Sequence, residues 1–336
     1  MKDIKIIIVT LPNGFFGSAG QSWQSIDVKE ISRNFCNLGF PVITTTIEKV
    51  LSEVELNTCD FVIYTSSENG VMRQYVKDIM YLVGQKSCIV PNYDLLMAHE
   101  NKGFQELLRA DKEFGDLNGC YNVDHLQLPH NYPYVYKGVA GAGSSDVELI
   151  KSKRNRDKVL FYKEFSGFRR LVINFMRWVK LSEDEYRIYK YNKKKFSAYI
   201  VQDFVSSLEF DYKVLVFWDK FFVLKRNIRK GDFRASGSGL FEFEKPSDEV
   251  LNYAKNIFEK LDTPYASLDI VLLDGACKLI EFQSLNFGPY TLNNAPGFYF
   301  LDGGEWTYVE GRASLDNEFS RSLTLFVKEA LNKSQN

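Results

Sequence analysis

Residues Tyr265 to Tyr290 read YASLDIVLLDGACKLIEFQSLNFGPY, and this stretch decides the fold. Apolar runs from Ile270 to Leu273 and from Leu279 to Phe282 flank Asp274-Gly275, a dipeptide suited to a tight turn, so the spacing predicts a β-hairpin. Asp269 opens the first strand. Glu281 and Gln283 lie two apart on the second and project from one face of the sheet. Three oxygen-bearing side chains can converge there, and hard cations such as Mg²⁺ take carboxylate and amide oxygens while keeping room for water and phosphate. The plain alternative is that each acid simply faces solvent. Against it, Glu281 stands in the apolar run LIEF, where an unpaired carboxylate is costly to bury.

A chain of 336 residues is long enough for two or three packed lobes. Lys plus Arg number 42 and Asp plus Glu 43, so a net charge of -1 gives no overall attraction to nucleic acid or to a membrane. One segment departs from this balance. Between Lys151 and Lys195 there are 15 Lys or Arg and five acids, which read either as a solvated helical surface or as a face for a phosphate-bearing or acidic ligand. The cysteines Cys36, Cys59, Cys88, Cys120 and Cys277 form no CxxC pair, and three histidines give no zinc framework, so reduced thiols in a cytoplasmic protein are expected. The apolar run from Ile4 to Leu11 is too short to span a membrane and ends at Pro12-Asn13-Gly14, which predicts a strand rather than a signal peptide.

Strands and helices alternate from there. IKIIIVT, PVITTTI, DFVIYT and SCIVP read as short strands, Asp27 is placed to cap a helix through Leu38, and a second helix runs from about Val71 to Val83. Continuous apolar strands predict a parallel sheet covered on both faces, hence a doubly wound α/β lobe over residues 1–92. The loop from Gly14 to Ser22 lacks G-x-G-x-x-G spacing; a plain connection, an acceptor-substrate loop and a nucleotide loop all stay open. LLMAHENKGFQELLRA is a helical stretch with Lys102 near its middle. YPYVYKGVAGAGSSDVELI gives a strand ending at Lys137, a glycine-serine loop with Gly141, Gly143, Ser144 and Ser145, and a short helix. Glycines let backbone approach phosphate, and hydroxyls and N–H groups donate to it, but no GKS or GKT follows as in a Walker A motif. After an exposed helix from Leu181 to Lys195, AYIVQDFV, FDYKVLVFW and KFFVLKRNI predict an antiparallel meander. Arg229 to Gly239, RKGDFRASGSG, suits a loop that closes over phosphate.

The order of these features resembles the ATP-grasp superfamily, which includes D-alanine-D-alanine ligase, glutathione synthetase and biotin carboxylase. The resemblance rests on Lys137 with the glycine-serine loop, YIVQDF followed by Glu209, DYKVLVF, KR, and D-x11-E-x-Q, and covers about residues 90–330. It implies an α/β and α+β multidomain protein: the N-terminal lobe over 1–92, a small ATP-grasp lobe over 93–198 and a large lobe over 199–336. It also implies ATP and Mg²⁺ as cofactors. Lys102, Lys137 and the loop from Gly141 to Ser145 would hold phosphates, Gln202 the adenine amino group, Asp203 and Val205 main-chain contacts, and Glu209 the ribose. Asp269, Glu281 and Gln283 match the metal positions.

Two departures stand out. The last metal position is usually Asn in this family, so Asn286 competes with Gln283. Many members carry Arg where this chain has Ser267, and Arg226, then Arg234, are the substitutes for stabilising the transferring phosphoryl group; a surface ion pair is the plain alternative for each. The resemblance implies a carboxylate-amine ligase acting on small-molecule acids and amines. A phosphotransferase using the same site and a non-catalytic nucleotide-binding protein are the alternatives. The E-x-Q-x-x-x-F-G tail is similar to ATP-grasp proteins of bacterial surface polysaccharide synthesis, which implies a sugar acid or an amino acid as acceptor. No nucleic-acid partner and no membrane span are expected, and a homodimer stays open.

Overall fold

The predicted hairpin forms, but its first strand begins at Tyr265, so Asp269 lies mid-strand instead of opening it. The computed structural model describes residues 4–333 except 18–23, 115–116, 124–127, 130, 140–145, 165–167, 194–197 and 207. Three sheets carry the chain.

The first sheet is built from β1 (Ile6–Thr10), β2 (Val42–Thr46), β3 (Phe61–Tyr64) and β4 (Cys88–Val90), with α1 (Val28–Asn37), α2 (Val50–Glu53) and α3 (Gly70–Gly84) between them. Its order is β2-β1-β3-β4 and its pairs are parallel. Both faces are covered, as the unbroken apolar strands require: Ile6, Ile8 and Ile63 enter one core, and Ile7, Val9 and Val62 another. Asp27 caps α1 by accepting from the Lys29 N–H at 2.8 Å.

The second sheet contains β5 (Gly119–Asn122), β6 (Tyr134–Gly138), β7 (Val147–Ile150) and β8 (Tyr199–Asp203) in the order β5-β8-β6-β7. Helices α4 (Tyr93–Ala98) and α5 (Lys102–Asp111) lead into it, and α6 (Lys153–Glu164), α7 (Phe168–Lys180) and α8 (Glu183–Lys193) separate β7 from β8. Three expectations change here. DVELI is a strand paired to β6, not a helix. The stretch around Lys102 is two helices, broken where Glu100 takes a φ of 52°, so Lys102 begins α5 instead of sitting mid-helix. Strand β8, expected to open the large lobe at residue 199, pairs with β5 and β6 and belongs to the small one.

The third sheet runs β13-β12-β9-β10-β14-β15, formed by β9 (Phe210–Phe217), β10 (Lys220–Asn227), β12 (Tyr265–Leu273), β13 (Ala276–Gln283), β14 (Gly297–Asp302) and β15 (Glu305–Glu310), with β11 (Phe241–Glu242) on β10. Asp274 and Gly275 both take positive φ, 49° and 79°, as a two-residue turn of type I′ requires. One face of this sheet packs Val214, Val216, Val223, Leu268 and Ile270 against α9 (Asp248–Leu261). On the other face, Leu215, Phe217, Phe222 and Tyr265 join the first sheet and α11 (Leu315–Lys333) in a shared core; α10 (Tyr290–Asn294) lies beside it. Helix α11 is tied to α1 by Asn34 donating to Ser320 at 2.7 Å, and Phe319 meets Phe16 edge to face and lies against the ring of Tyr265. Among the described residues, no helix is long and apolar enough to cross a membrane.

Candidate active site

The face that is apolar at one end of the third sheet becomes charged at the other. Alternation places Asp211 and Lys213 of β9 on that face, and cross-strand register does the rest: Arg226 lies opposite Asp211, Lys213 opposite Asp269, Asp269 opposite Glu281, and Ser267 opposite Gln283. A β-bulge at Ile280 brings Asp269 into register with Glu281, and it lets Leu279 and Phe282, three apart, both enter the core behind. Arg109 of α5 secures the bulge: it is buried and donates to the carbonyls of Leu279 and Ile280.

These residues floor a cleft of about 230 Å³ whose opposite wall is the second sheet. Lys102, Lys137, Lys213, Arg226 and Arg234 line it beside Asp203, Asp211, Asp269 and Glu281, while Val135, Val147, Val205, Leu208 and Phe282 form an apolar flank. Lys137 and Gln202 sit on one face of the small sheet, and the buried Lys137 ammonium donates to Gln202 Oε1 at 2.6 Å. Gln202 in turn donates to Glu106 Oε1 at 3.1 Å, and Glu106 faces Arg109 at 3.4 Å. Burial lowers the Lys137 ammonium from its ordinary value, against the pull of Glu281 and Glu106. Burial raises the Glu106 carboxyl, opposed by Arg109 and Lys137. A chain of polar contacts therefore joins the small lobe to the bulge behind Glu281.

The guanidinium of Arg226 is held between two carboxylates. Its Nε and Nη2 donate to Asp211 at 2.7 Å each, and Nη2 lies 2.9 Å from Asp269 Oδ2. Burial alone would raise the Asp269 carboxyl, but Arg226 and Lys213, the latter at 3.1 Å, hold it well below the usual carboxylate range. Burial raises Asp211 despite Arg226. Arg234 pairs with Asp232 at 3.0 Å, and Arg229 donates to the carbonyls of Ser238 and Gly237, closing the loop upon itself.

The donor set suits a hard cation. Asp269 uses two of the roughly four acceptor positions of a carboxylate, and Glu281 Oε1 stands 3.7 Å from Lys102, beyond a hydrogen bond. Among the described residues no three His, Cys, Asp or Glu side chains gather as metal ligands, and Gln283 lines the same cleft as Asp269 and Glu281. Asn286, the competing residue, is engaged elsewhere: it donates to the Ser66 carbonyl at 2.7 Å and accepts from Thr65 at 3.3 Å.

Sequence reasoning and structure thus meet in one cleft for Lys102, Lys137, Gln202, Asp203, Val205, Arg226, Arg234, Asp269, Glu281 and Gln283. Glu209 is exposed just before β9 and is absent from the cleft lining. Gly141, Gly143, Ser144 and Ser145 lie outside the described residues. Asp211, Lys213, Glu106 and Arg109 were missed. For the first two a signal existed, since D-Y-K puts two charges two apart in an otherwise apolar strand, the same pattern that singled out Glu281 and Gln283.

No protein-family model and no curated protein matches the sequence. Solved structures do resemble it. D-cycloserine synthetase DcsG superposes with a TM-score of 0.53 at 12% identity, covering 96% of this chain and 99% of that one. D-alanine–D-alanine ligase from Bacillus anthracis gives 0.52 at 11% identity over 99% and 100%. The ATP-grasp ligase PsnB complexed with minimal precursor, Mg and ADP gives 0.50 at 13% over 96% and 98%. With superposition over nearly the whole length of each, the chain has the fold of the ATP-grasp ligases.

Proposed function

We propose that the protein is an ATP-dependent ligase that activates a carboxylate as an acyl phosphate for attack by an amine. The observation that carries this reading is the cleft itself: five cationic side chains from two lobes gather with Asp269, Glu281 and Gln283, beside an apolar flank. Support comes from the fold shared with ligases, one of which was solved with Mg and ADP.

A carboxylate is a poor electrophile. Moving the γ-phosphoryl of ATP onto its oxygen releases ADP and makes a carbonyl that an amine attacks, with phosphate leaving and an amide formed. Phosphoryl transfer of this kind asks the protein for positioning and charge neutralisation rather than covalent help. Lys102 and Lys137 supply positive charge from the small-lobe side, and Lys213 and Arg234 from the large-lobe side. Asp269, Glu281 and Gln283 would hold Mg²⁺, which when bound neutralises charge on the β- and γ-phosphates. The apolar side chains of Val135, Val147 and Leu208 take the adenine, with Gln202 near its amino group. Arg226, with both its edges committed to carboxylates, serves by fixing Asp269 rather than by reaching substrate. Glu209 has no role in this reading.

The substrates are a small-molecule acid and amine, with amino acids and sugar acids the first to assay. Incubating the protein with ATP, Mg²⁺ and candidate acids, with and without amines, tests the proposal: ADP and phosphate release that depends on the amine, with an amide product, supports it. A phosphorylated product formed equally well without amine identifies a phosphotransferase and overturns it.

A further inference from the structure

The described side chains of helix α7 belong to neither the cleft nor a core. Its sequence, FRRLVINFMRWVK, contains four cations and no acid. Over its described side chains, Val172, Phe175, Met176 and Val179 fall at positions i, i+3, i+4 and i+7, one face of the helix, while Lys180 borders that face beside Met176 and Arg177 lies on the opposite one. The apolar face is bare: Val172 is 41% exposed, Phe175 63%, Met176 48% and Val179 62%, with Trp178 at its border at 60%. The neighbouring helix does not cover it. Tyr189 of α8 donates to Asn174 at 3.1 Å, on the flank of α7 turned away from Val172 and Val179. Rings of Phe175 and Trp178 lie 5.9 Å apart and add to the same open patch. Large apolar side chains left contiguous at a surface mark an interaction site.

We infer that α7 is a peripheral membrane-binding element that lies in the headgroup region of an anionic bilayer. The net charge of the chain gives no general attraction to membranes, but charge complementarity here is local and continuous. Over the described side chains the apolar stripe from Val172 to Val179 is about 10 Å long, the charged residues of the helix are all cations, and Trp178 and Phe175 stand at its edge. A negatively charged lipid surface offers both halves of that pattern together: acyl chains for Phe175, Met176 and Val179, phosphates for Arg177 and Lys180. The helix is displayed on the segment between β7 and β8, so docking it leaves the cleft lining untouched. The inference is independent of the proposed reaction.

The test is co-sedimentation of the full chain with phosphatidylcholine vesicles, with or without phosphatidylglycerol, at low and high salt. Binding is expected to anionic vesicles, weakened by salt, with a blue shift in tryptophan emission that disappears in Trp178→Phe. Each cation near an anionic surface contributes about fivefold in partitioning, so Arg177→Glu/Lys180→Glu should lower it by about 25-fold or more. Phe175→Ser/Val179→Ser should abolish binding while keeping the melting temperature, since both side chains are exposed. Absence of binding to either vesicle overturns the inference, as does unchanged binding of Phe175→Ser/Val179→Ser. It is equally overturned if sedimentation velocity shows an oligomer that this double variant converts to monomer, because the face would then belong to a second copy.

Discussion

Replacing Arg226 with Met separates a structural cation from a catalytic one. The side chain of Arg226 is 7% exposed, that of Asp211 4% and that of Asp269 14%, and three contacts of 2.7, 2.7 and 2.9 Å bind them together. Removing one partner of a buried pair strands the other charge, which typically costs about 3–5 kcal/mol. Asp269 retains Lys213 at 3.1 Å, so most of that loss falls on Asp211, whose bidentate partner is gone. Arg226→Met should therefore lower the urea midpoint at neutral pH by an amount equivalent to about 3–5 kcal/mol. Asp211→Leu combined with Arg226→Met removes both charges, and burying apolar groups in their place should recover stability to within about 2 kcal/mol of the unaltered chain. Urea unfolding of the parent, both single variants and the double variant completes the cycle. An Arg226→Met protein as stable as the parent but unable to turn over would refute this reasoning and return Arg226 to direct contact with the transferring group.

Three further outcomes are expected. Lys137→Ala should weaken ATP binding by about 1.5–3 kcal/mol, the range for a hydrogen bond from a charged group, and calorimetry showing unchanged affinity would remove Lys137 from the nucleotide site. Glu281→Gln, at a side chain 25% exposed and 3.7 Å from its nearest cation, should change stability by less than about 1 kcal/mol yet reduce Mg²⁺-dependent turnover by on the order of a hundredfold or more; full activity would sink the metal assignment. His99 is buried at the end of α4, and burial together with Arg73 and Lys77 pushes its pKa down to about 4. Because the unfolded imidazole titrates near 6.5, the unfolded chain binds the extra proton between those values, so stability is complete above about pH 6.5 and declines by up to about 3 kcal/mol as the pH falls to about 4. Comparing urea midpoints at pH 7 and 4.5 should show a smaller acid loss in His99→Gln; an equal loss rules out His99 as the cause.

The local devices of this fold were legible in the sequence, and its choices of partner were not. Asp274-Gly275 named the turn because few residues accept two positive φ angles in succession, and that turn set the register from Leu273 to Ile270, beyond which the bulge shifts Asp269 opposite Glu281. Unbroken apolar strands announced the parallel sheet. Tyr199–Asp203, in contrast, carries nothing that says which sheet it joins; its neighbours β5 and β6 are more than sixty residues away in the chain, and only tertiary packing decides between them. The break before Lys102 was hidden because Glu100 is not a residue that advertises a left-handed backbone. The bulge at Ile280 depends on Arg109 for its carbonyl partners, a contact across 171 positions that periodicity does not encode. Arg226 was expected to reach the transferring phosphoryl group, whereas the structure shows its guanidinium between Asp211 and Asp269, and Asp211 had been read as part of an ordinary strand.

The seat of α11 on the first sheet has a consequence for how the protein is made. Strands β1 to β4 are complete by residue 90, yet the apolar face that carries Ile6, Ile8 and Phe16 meets Phe319, Leu323 and Val327 only when α11 emerges. At a synthesis rate of about 5–20 residues per second, more than two hundred intervening residues leave that core without its α11 contacts for on the order of ten seconds or longer, even as Leu215, Phe222 and Tyr265 arrive before it. A nascent chain stalled before α11 exposes Ile6, Ile8 and Ile31 to solvent or to a chaperone, and release of the chaperone falls late, when the last helix closes the first sheet.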